Sequence, residues 1–392
     1  MTHVGKINVS LWGRRVGSLV AAPRRGVYAF RFERDFLASG IEISPLMMPL
    51  RREPYVFPDL PRSAYSGLPP VFADSLPDAF GRGLVERWLV AHGIARSEIT
   101  PLDELAYIGG RGMGALLYEP DRGPGGHPTV IEMRTLAESA HRVVNGEMER
   151  MDEDDALRVI IRLGSSAGGA QAKALVGWNR ATGRFLLGDR ELPPGYEHWI
   201  VKFTPRAYPW RGEREFACYE KALAAGIRVS ESRLCEVDGI KHFMTRRFDR
   251  LDGRRHHLLS LSAMIHLPAE TPPEHRRYEQ LFMAADSLGL PYEDREELFR
   301  RMAFNIANGE FDDHPKNFSF MLKEGGEWRL APAYDLTGSD FPPADPWSAY
   351  AGTHNLSVNG RFSGITGDDL LTVADRFGIG TAKKILADYP KI

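Results

Sequence analysis

Between Phe311 and Asp335 the chain carries a set of Asp, His, Lys and Asn residues whose types suit the transfer of a phosphoryl group. That reaction needs a carboxylate to accept a hydroxyl proton, hard oxygen ligands for magnesium, and a cation against the phosphates. In Asp312-Asp313-His314-Pro315-Lys316-Asn317 an Asp and an Asn stand five apart, the interval between the base and the metal-binding Asn of a protein-kinase catalytic loop. Asp312 is therefore the candidate base and Asn317 a candidate magnesium ligand. Lys316, between them, either steadies the migrating group or is an ordinary exposed lysine. Trp328 to Asp335 reads as a short strand ending in a carboxylate, and Asp335-Leu336-Thr337-Gly338 takes the place of the kinase Asp-Phe-Gly, with Asp335 as second metal ligand.

Any one of these residues is weak evidence, because Asp and Asn are also the commonest turn and cap residues. Their order is stronger evidence. Upstream lies Gly164-Ser165-Ser166-Ala167-Gly168-Gly169-Ala170-Gln171-Ala172-Lys173, whose small residues let backbone approach phosphates, although no Gly-Lys-Ser/Thr makes it a Walker motif. The second glycine cluster, Gly109 to Gly114, has no downstream strand lysine and reads as a tight turn. Lys202 alternates with apolar residues on an expected strand, where an unpaired charge is costly to bury, so a functional lysine is favoured. Its expected counter-ion is Glu215, at the start of a helical pattern, with Glu213 and Glu220 as other partners. Met244 to Arg250 ends the strand series; its backbone suits an adenine hinge, and a strand-end salt bridge is the plainer reading.

The elements that must position these groups follow from periodicity. Ile7, Val9 and Leu11, then Tyr28, Phe30 and Phe32, alternate as strands of a small sheet. Asp74-Ser75-Leu76-Pro77-Asp78 reads as a helix start leading into Leu84 to Val90. Residues 121–128 have linker composition, and the acidic run 147–155 is a solvated face or helix start. Strand, strand, helix, strand follow the Gly-rich loop to about residue 250, and beyond 256 the apolar spacing is helical. An α+β chain results, divided at 1–125, 126–255 and 256–392. Its 392 residues, 43% apolar, can bury a large core, and 50 Lys and Arg against 52 Asp and Glu give no electrostatic case for a dedicated nucleic-acid or membrane protein. Cys218 and Cys235 make no disulfide scaffold, and no apolar run suits a signal peptide or membrane span, so a cytoplasmic location is expected.

Together, Asp74 to Asp78, Gly169 to Lys173, Arg247-Phe248-Asp249-Arg250, Asp312-x-His314-x-Lys316-Asn317 and Tyr334-Asp335 resemble the HipA family of bacterial serine/threonine kinase toxins, along nearly the whole chain. The resemblance implies a β-rich N-terminal subdomain, a kinase-like N-lobe and a helical C-lobe, with ATP and magnesium between the lobes. It implies nucleotide contacts at Ala167, Gly168, Gly169, Ala170, Gln171, Ala172, Lys173, Lys202, Arg246, Arg247, Phe248, His314, Lys316, Asn317, Tyr334 and Asp335. Ser166, with Ser165 beside it, matches the autophosphorylated serine of the family, where a phosphate would repel ATP. Arg246 departs from the glutamate expected at the hinge, which bears only on side-chain contacts there. A helix-turn-helix antitoxin of the HipB type, operator DNA reached through it, and a target in translation such as an aminoacyl-tRNA synthetase are the implied partners. The helix Thr381 to Leu386 stands nearer the end of the chain than the family leads one to expect. A small-molecule or lipid kinase, and a corepressor module without catalysis, are the competing readings.

Overall fold

The computed structural model describes residues 1–77, 79–125, 128–147, 159, 171–187, 191–268, 270–338 and 352–390. Asp78, most of the acidic run, and the Gly-rich-loop positions from Gly164 to Ala170, with Ser165, Ser166, Ala167, Gly168 and Gly169, lie outside the described residues. The chain forms two compact units that interleave in sequence. The first holds Met1–Ile43, Leu50–Glu213 and Glu231–His257; the second holds Ser44–Pro49, Arg214–Ser230 and Leu258–Ile392.

In the first unit, β1 (Lys6–Leu11), β2 (Arg14–Ala21), β3 (Tyr28–Phe32) and β4 (Leu116–Glu119) form a sheet of order β3-β2-β1-β4. The alternation seen in the sequence is the burial pattern: Ile7, Val9, Leu11 and Phe30 are fully buried. Leu11 pairs with Arg14 across Trp12-Gly13, both at positive φ (50° and 75°), as a two-residue hairpin turn of the twist-compatible kind requires. The helix Ala79–Ala91 follows the predicted start motif, and Pro101–Ile108 begins with a capping box between Thr100 and Asp103.

A second, antiparallel sheet contains β5 (Thr129–Ile131), β6 (Lys173–Trp178), β7 (Phe185–Leu187), β8 (Glu197–Lys202), β9 (Ser232–Val237) and β10 (Ile240–Arg246), in the order β5-β7-β6-β8-β10-β9. The helix Met133–Val144 buries Met133, Leu136, Ala137 and Ala140, four positions of one face. A short hairpin of β11 (Arg250–Leu251) and β12 (Arg254–Arg255) comes next.

The second unit is mainly helical, with Glu279–Ser287, Tyr292–Asn308 and Gly367–Phe377, and it includes a small sheet of β13 (His257–Ser260), β14 (Ser319–Leu322) and β15 (Trp328–Leu330). The helix Arg211–Ala224 starts a turn before the expected Glu215. Its Cys218 and Ala222 join Ile227, Phe304 and Ala333 in one buried cluster. Both cysteines are free. Among the described residues, no helix is long and apolar enough to cross a membrane.

Candidate active site

The helix Tyr292–Asn308 organises the site because its buried charges grip β15, the strand that leads to Asp335. Asp294, fully buried, accepts from Arg228 Nη2 (2.6 Å), Arg329 Nε (2.7 Å) and the Leu330 N–H (3.0 Å). One turn on, Glu297 accepts from Arg301 Nε (2.8 Å), and Arg301 Nη2 donates to Ala331 O (2.8 Å). The helix then ends at Gly309, at φ 59°, a left-handed cap that glycine adopts without penalty. Residues 310–318 leave this helix end, and residues 333–338 leave the end of β15. The two segments line one pocket with Asn305, Glu310, Asp312, Asn317, Tyr334 and Asp335. The second unit thus brings the expected base and both expected metal ligands together.

The loop between them is closed by its own side chains. Asn317 Nδ2 donates to Asp312 O at 2.8 Å, which leaves the amide Oδ1 available to a cation. The Lys316 N–H donates to His314 Nδ1 at 3.2 Å, and burial holds the imidazole pKa below its usual range. The neutral ring therefore carries its proton on Nε2, the atom 3.6 Å from Asp312 Oδ1. The Tyr334 hydroxyl donates to Lys316 O (2.6 Å) and accepts from Ser319 Oγ (2.6 Å), so the residue before Asp335 braces the same loop. Tyr334→Phe is expected to reduce stability by about 1 kcal/mol in urea unfolding, the usual net worth of such a bond.

Asp313 and Glu310 are the residues that sequence reasoning passed over. Asp313 is 1% exposed; it accepts from the Tyr278 hydroxyl (2.7 Å), His354 Nδ1 (2.9 Å) and the Asn355 N–H (2.6 Å). It anchors the loop from below, whereas its neighbour Asp312, with 35% of its side chain exposed, is accessible to substrate. Only the doubled Asp in the sequence hinted at such a division of roles.

Glu310 is 2% exposed and accepts from the N–H groups of Thr337 (2.5 Å) and Gly338 (2.6 Å). Burial pushes its carboxyl up to about 7, the two N–H bonds oppose this, and the charges of Asp312 and Asp313 add to it. Between the ordinary 4.5 and about 7 the folded chain keeps a proton that the unfolded chain has released, so stability falls as pH rises through that window. The wild type is expected to lose more stability between about pH 5 and pH 8 than Glu310→Gln, which has no such proton to lose. Equal losses in thermal unfolding would rule this out.

On the first unit Lys173, 2% exposed, sits opposite Lys202 in the β6–β8 register, and Lys202 sits opposite Phe243, its Nζ 5.7 Å from the ring centroid. Directly opposed residues share a sheet face, so the two lysines stand side by side. Gln171 Nε2 donates to Phe203 O (3.2 Å), and the Phe203 N–H donates to Ala172 O (2.8 Å). The N–H groups of Arg246 and Arg247 donate to Glu231 O and His198 O, both at 2.8 Å, so an adenine contact from these two residues would use their carbonyl oxygens. Phe248 follows them, 8% exposed. Lys316 is exposed at the rim of its loop, and Glu215 lies buried in the second unit.

Among the described residues no group of three or more His, Cys, Asp or Glu converges as a metal site. Magnesium does not require one, since it is commonly held by one or two protein oxygens together with phosphates and water. Asp335 and the Asn317 amide oxygen, on the wall of one pocket, fit that donor set.

Comparison with known proteins identifies the family and the fold. The model of the HipA-like C-terminal domain matches residues 165–391, and that of the HipA N-terminal domain matches residues 7–119. A Sinorhizobium fredii protein named "Putative kinase Y4dM" is 24% identical over 358 residues, covering 86% of this chain and 78% of its own. A Haemophilus influenzae protein with the same kinase description is 27% identical over 160 residues, 37% of this chain and 46% of that protein. Among solved structures, the Shewanella oneidensis MR-1 toxin–antitoxin complex of HipA, HipB and operator DNA aligns with a TM-score of 0.70 at 18% identity, over 98% of this chain and 87% of that one. The α+β, kinase-like fold expected from the sequence is therefore the one observed. With both domain models matched, and the C-terminal one over more than half of its length, the chain belongs to the HipA family.

Proposed function

We propose that the protein is an ATP- and magnesium-dependent serine/threonine protein kinase and the toxin of a toxin–antitoxin pair. The observation that supports this best is the meeting of Asp312, Asn317 and Asp335 in one pocket of a HipA-family chain. Asp312 accepts the proton of the substrate hydroxyl. His314 Nε2 lies 3.6 Å from its Oδ1. Magnesium, held by Asn317 and Asp335, would neutralise charge on the phosphates. Lys173 and Lys202 are proposed to take further phosphate charge, Glu215 to orient Lys202, and Gln171, Ala172, Arg246, Arg247, Phe248, His314, Lys316 and Tyr334 to contact the nucleotide. The loop Ala167 to Ala170 would cover the phosphates, and phosphorylation of Ser166 within it would oppose ATP binding by charge. A HipB-type antitoxin, operator DNA reached through it, and a translation protein as substrate are the proposed partners, in the cytoplasm.

Incubation with magnesium and γ-labelled ATP should put label on Ser166, and chelation of the metal should prevent it. Phosphoproteomics of cells expressing the protein should show a new phosphosite on a translation component. A changed metabolite without a new phosphosite would point instead to a small-molecule kinase. Absence of any phosphate transfer, with binding to an antitoxin retained, would point to a corepressor.

A further inference from the structure

We infer that Glu310 is a positioning residue for phosphoryl transfer: its buried carboxylate clamps the Thr337–Gly338 turn and so holds Asp335 in place to take a cation. The inference rests on the kinase reading of Asp335.

Asp335 has φ 59°, in the left-handed region that is sparsely populated by residues other than glycine, Asp and Asn entering it more readily than most. The chain leaves this residue through Leu336 and then gives two successive N–H groups, of Thr337 and Gly338, to one oxygen of Glu310, at 2.5 and 2.6 Å. The other oxygen accepts from Thr337 Oγ1 (3.3 Å) and from the N–H of Asp312 (3.3 Å). A single carboxylate thus ties the segment after the candidate metal ligand to the loop of the candidate base. Glu310 is itself fixed, because it follows the helix cap Gly309 and its N–H donates to Asn305 O at 2.9 Å. Asp313, the other buried acid of the pocket, is occupied by Tyr278, His354 and Asn355. Without Glu310, two half-buried N–H groups lose their acceptor and the turn can relax away from the left-handed geometry.

The test compares full-length wild type, Glu310→Ala and Glu310→Gln, each first checked for folding by thermal unfolding. Binding of the non-hydrolysable analogue AMP-PNP is measured in EDTA and in magnesium, and phosphate transfer is measured across a magnesium titration. Loss of a residue that orients a metal ligand lowers metal affinity or activity by about 10- to 100-fold. In Glu310→Ala the half-saturating magnesium concentration should therefore rise at least about tenfold, while AMP-PNP affinity in EDTA stays within about twofold of wild type. Glu310→Gln, which keeps one acceptor oxygen, should fall between, and it carries the test if the alanine variant does not fold. Wild-type magnesium dependence in a folded variant would overturn the inference. So would equal losses with and without magnesium, the mark of a merely structural role. A wild type whose AMP-PNP binding and phosphate transfer ignore magnesium defeats the kinase reading itself, and with it this inference; that outcome is read from the wild-type arm alone.

Discussion

Asp312→Asn is expected to slow phosphate transfer by about 10²- to 10⁴-fold, the usual contribution of a positioned general base. The substitution changes one atom of the side chain. The hydrogen bond that closes the loop, from Asn317 Nδ2 to the backbone oxygen of residue 312, does not involve that side chain and should survive. So should the anchoring of the loop through Asp313. Nucleotide and magnesium binding should consequently stay near wild type, with the loss confined to kcat. Initial rates with labelled ATP, beside AMP-PNP binding of the same sample, separate the two. Undiminished transfer by the folded variant would exclude Asp312 as the base.

Asp249→Ala should have the largest effect on stability. Asp249 is fully buried and accepts from Arg247 Nε (3.0 Å), Arg247 Nη2 (2.8 Å), Arg250 Nη1 (2.8 Å) and the Gly114 N–H (2.7 Å). The two guanidinium groups also donate to Gly112 O, at 3.1 and 2.9 Å. Burial alone would raise the pKa of this carboxyl, but the two arginines outweigh it and hold it far below the usual carboxylate range. It is therefore ionised at neutral pH, and its stabilising contribution fades only as the solution becomes strongly acidic. Removing it strands two buried cations, which costs about 3–5 kcal/mol. The loss should appear as a lower urea midpoint of the first unit. A change under about 1 kcal/mol would mean that the two cations find other partners.

The Asp249 cluster also shows where sequence reading reaches its limit. The spacing of Ile7, Val9 and Leu11 identified a strand because alternation is local, and the same was true of the strand that carries Lys202. The segment Arg247 to Arg250 was read as a hinge or a strand-end salt bridge. In the structure its charges fasten the Gly109–Gly114 turn, a partner 135 positions away that no local pattern announces. The turn itself was expected, but the reason for it was not. β14, Ser319–Leu322, is buried on every residue, and so short an apolar run has no period to betray it. The helix that holds Glu215 begins early because Gly212 can lie against Lys241 O, where an added Cβ would come within 2.1 Å. At the site, the residue types of Asp312, Asn317 and Asp335 were readable. That Asp313 faces inward, and that Glu310 belongs with Thr337, depends on how the end of one helix meets the end of one strand.

The interleaving of the two units bears on how the chain is made. Once synthesis reaches His257, the first unit has all of its segments, while Cys218, Ala222 and Ile227 belong to a second unit whose Phe304 and Ala333 have not yet been added. Until those residues emerge, an apolar face of the helix Arg211–Ala224 and its following turn is without its native cover, and Arg228 waits for Asp294. A fragment starting at Leu258 would lack that stretch altogether. The part of the protein that carries Asp312 and Asp335 is thus completed only when a segment translated much earlier is still free to join it, so the candidate site depends on chain made before residue 231.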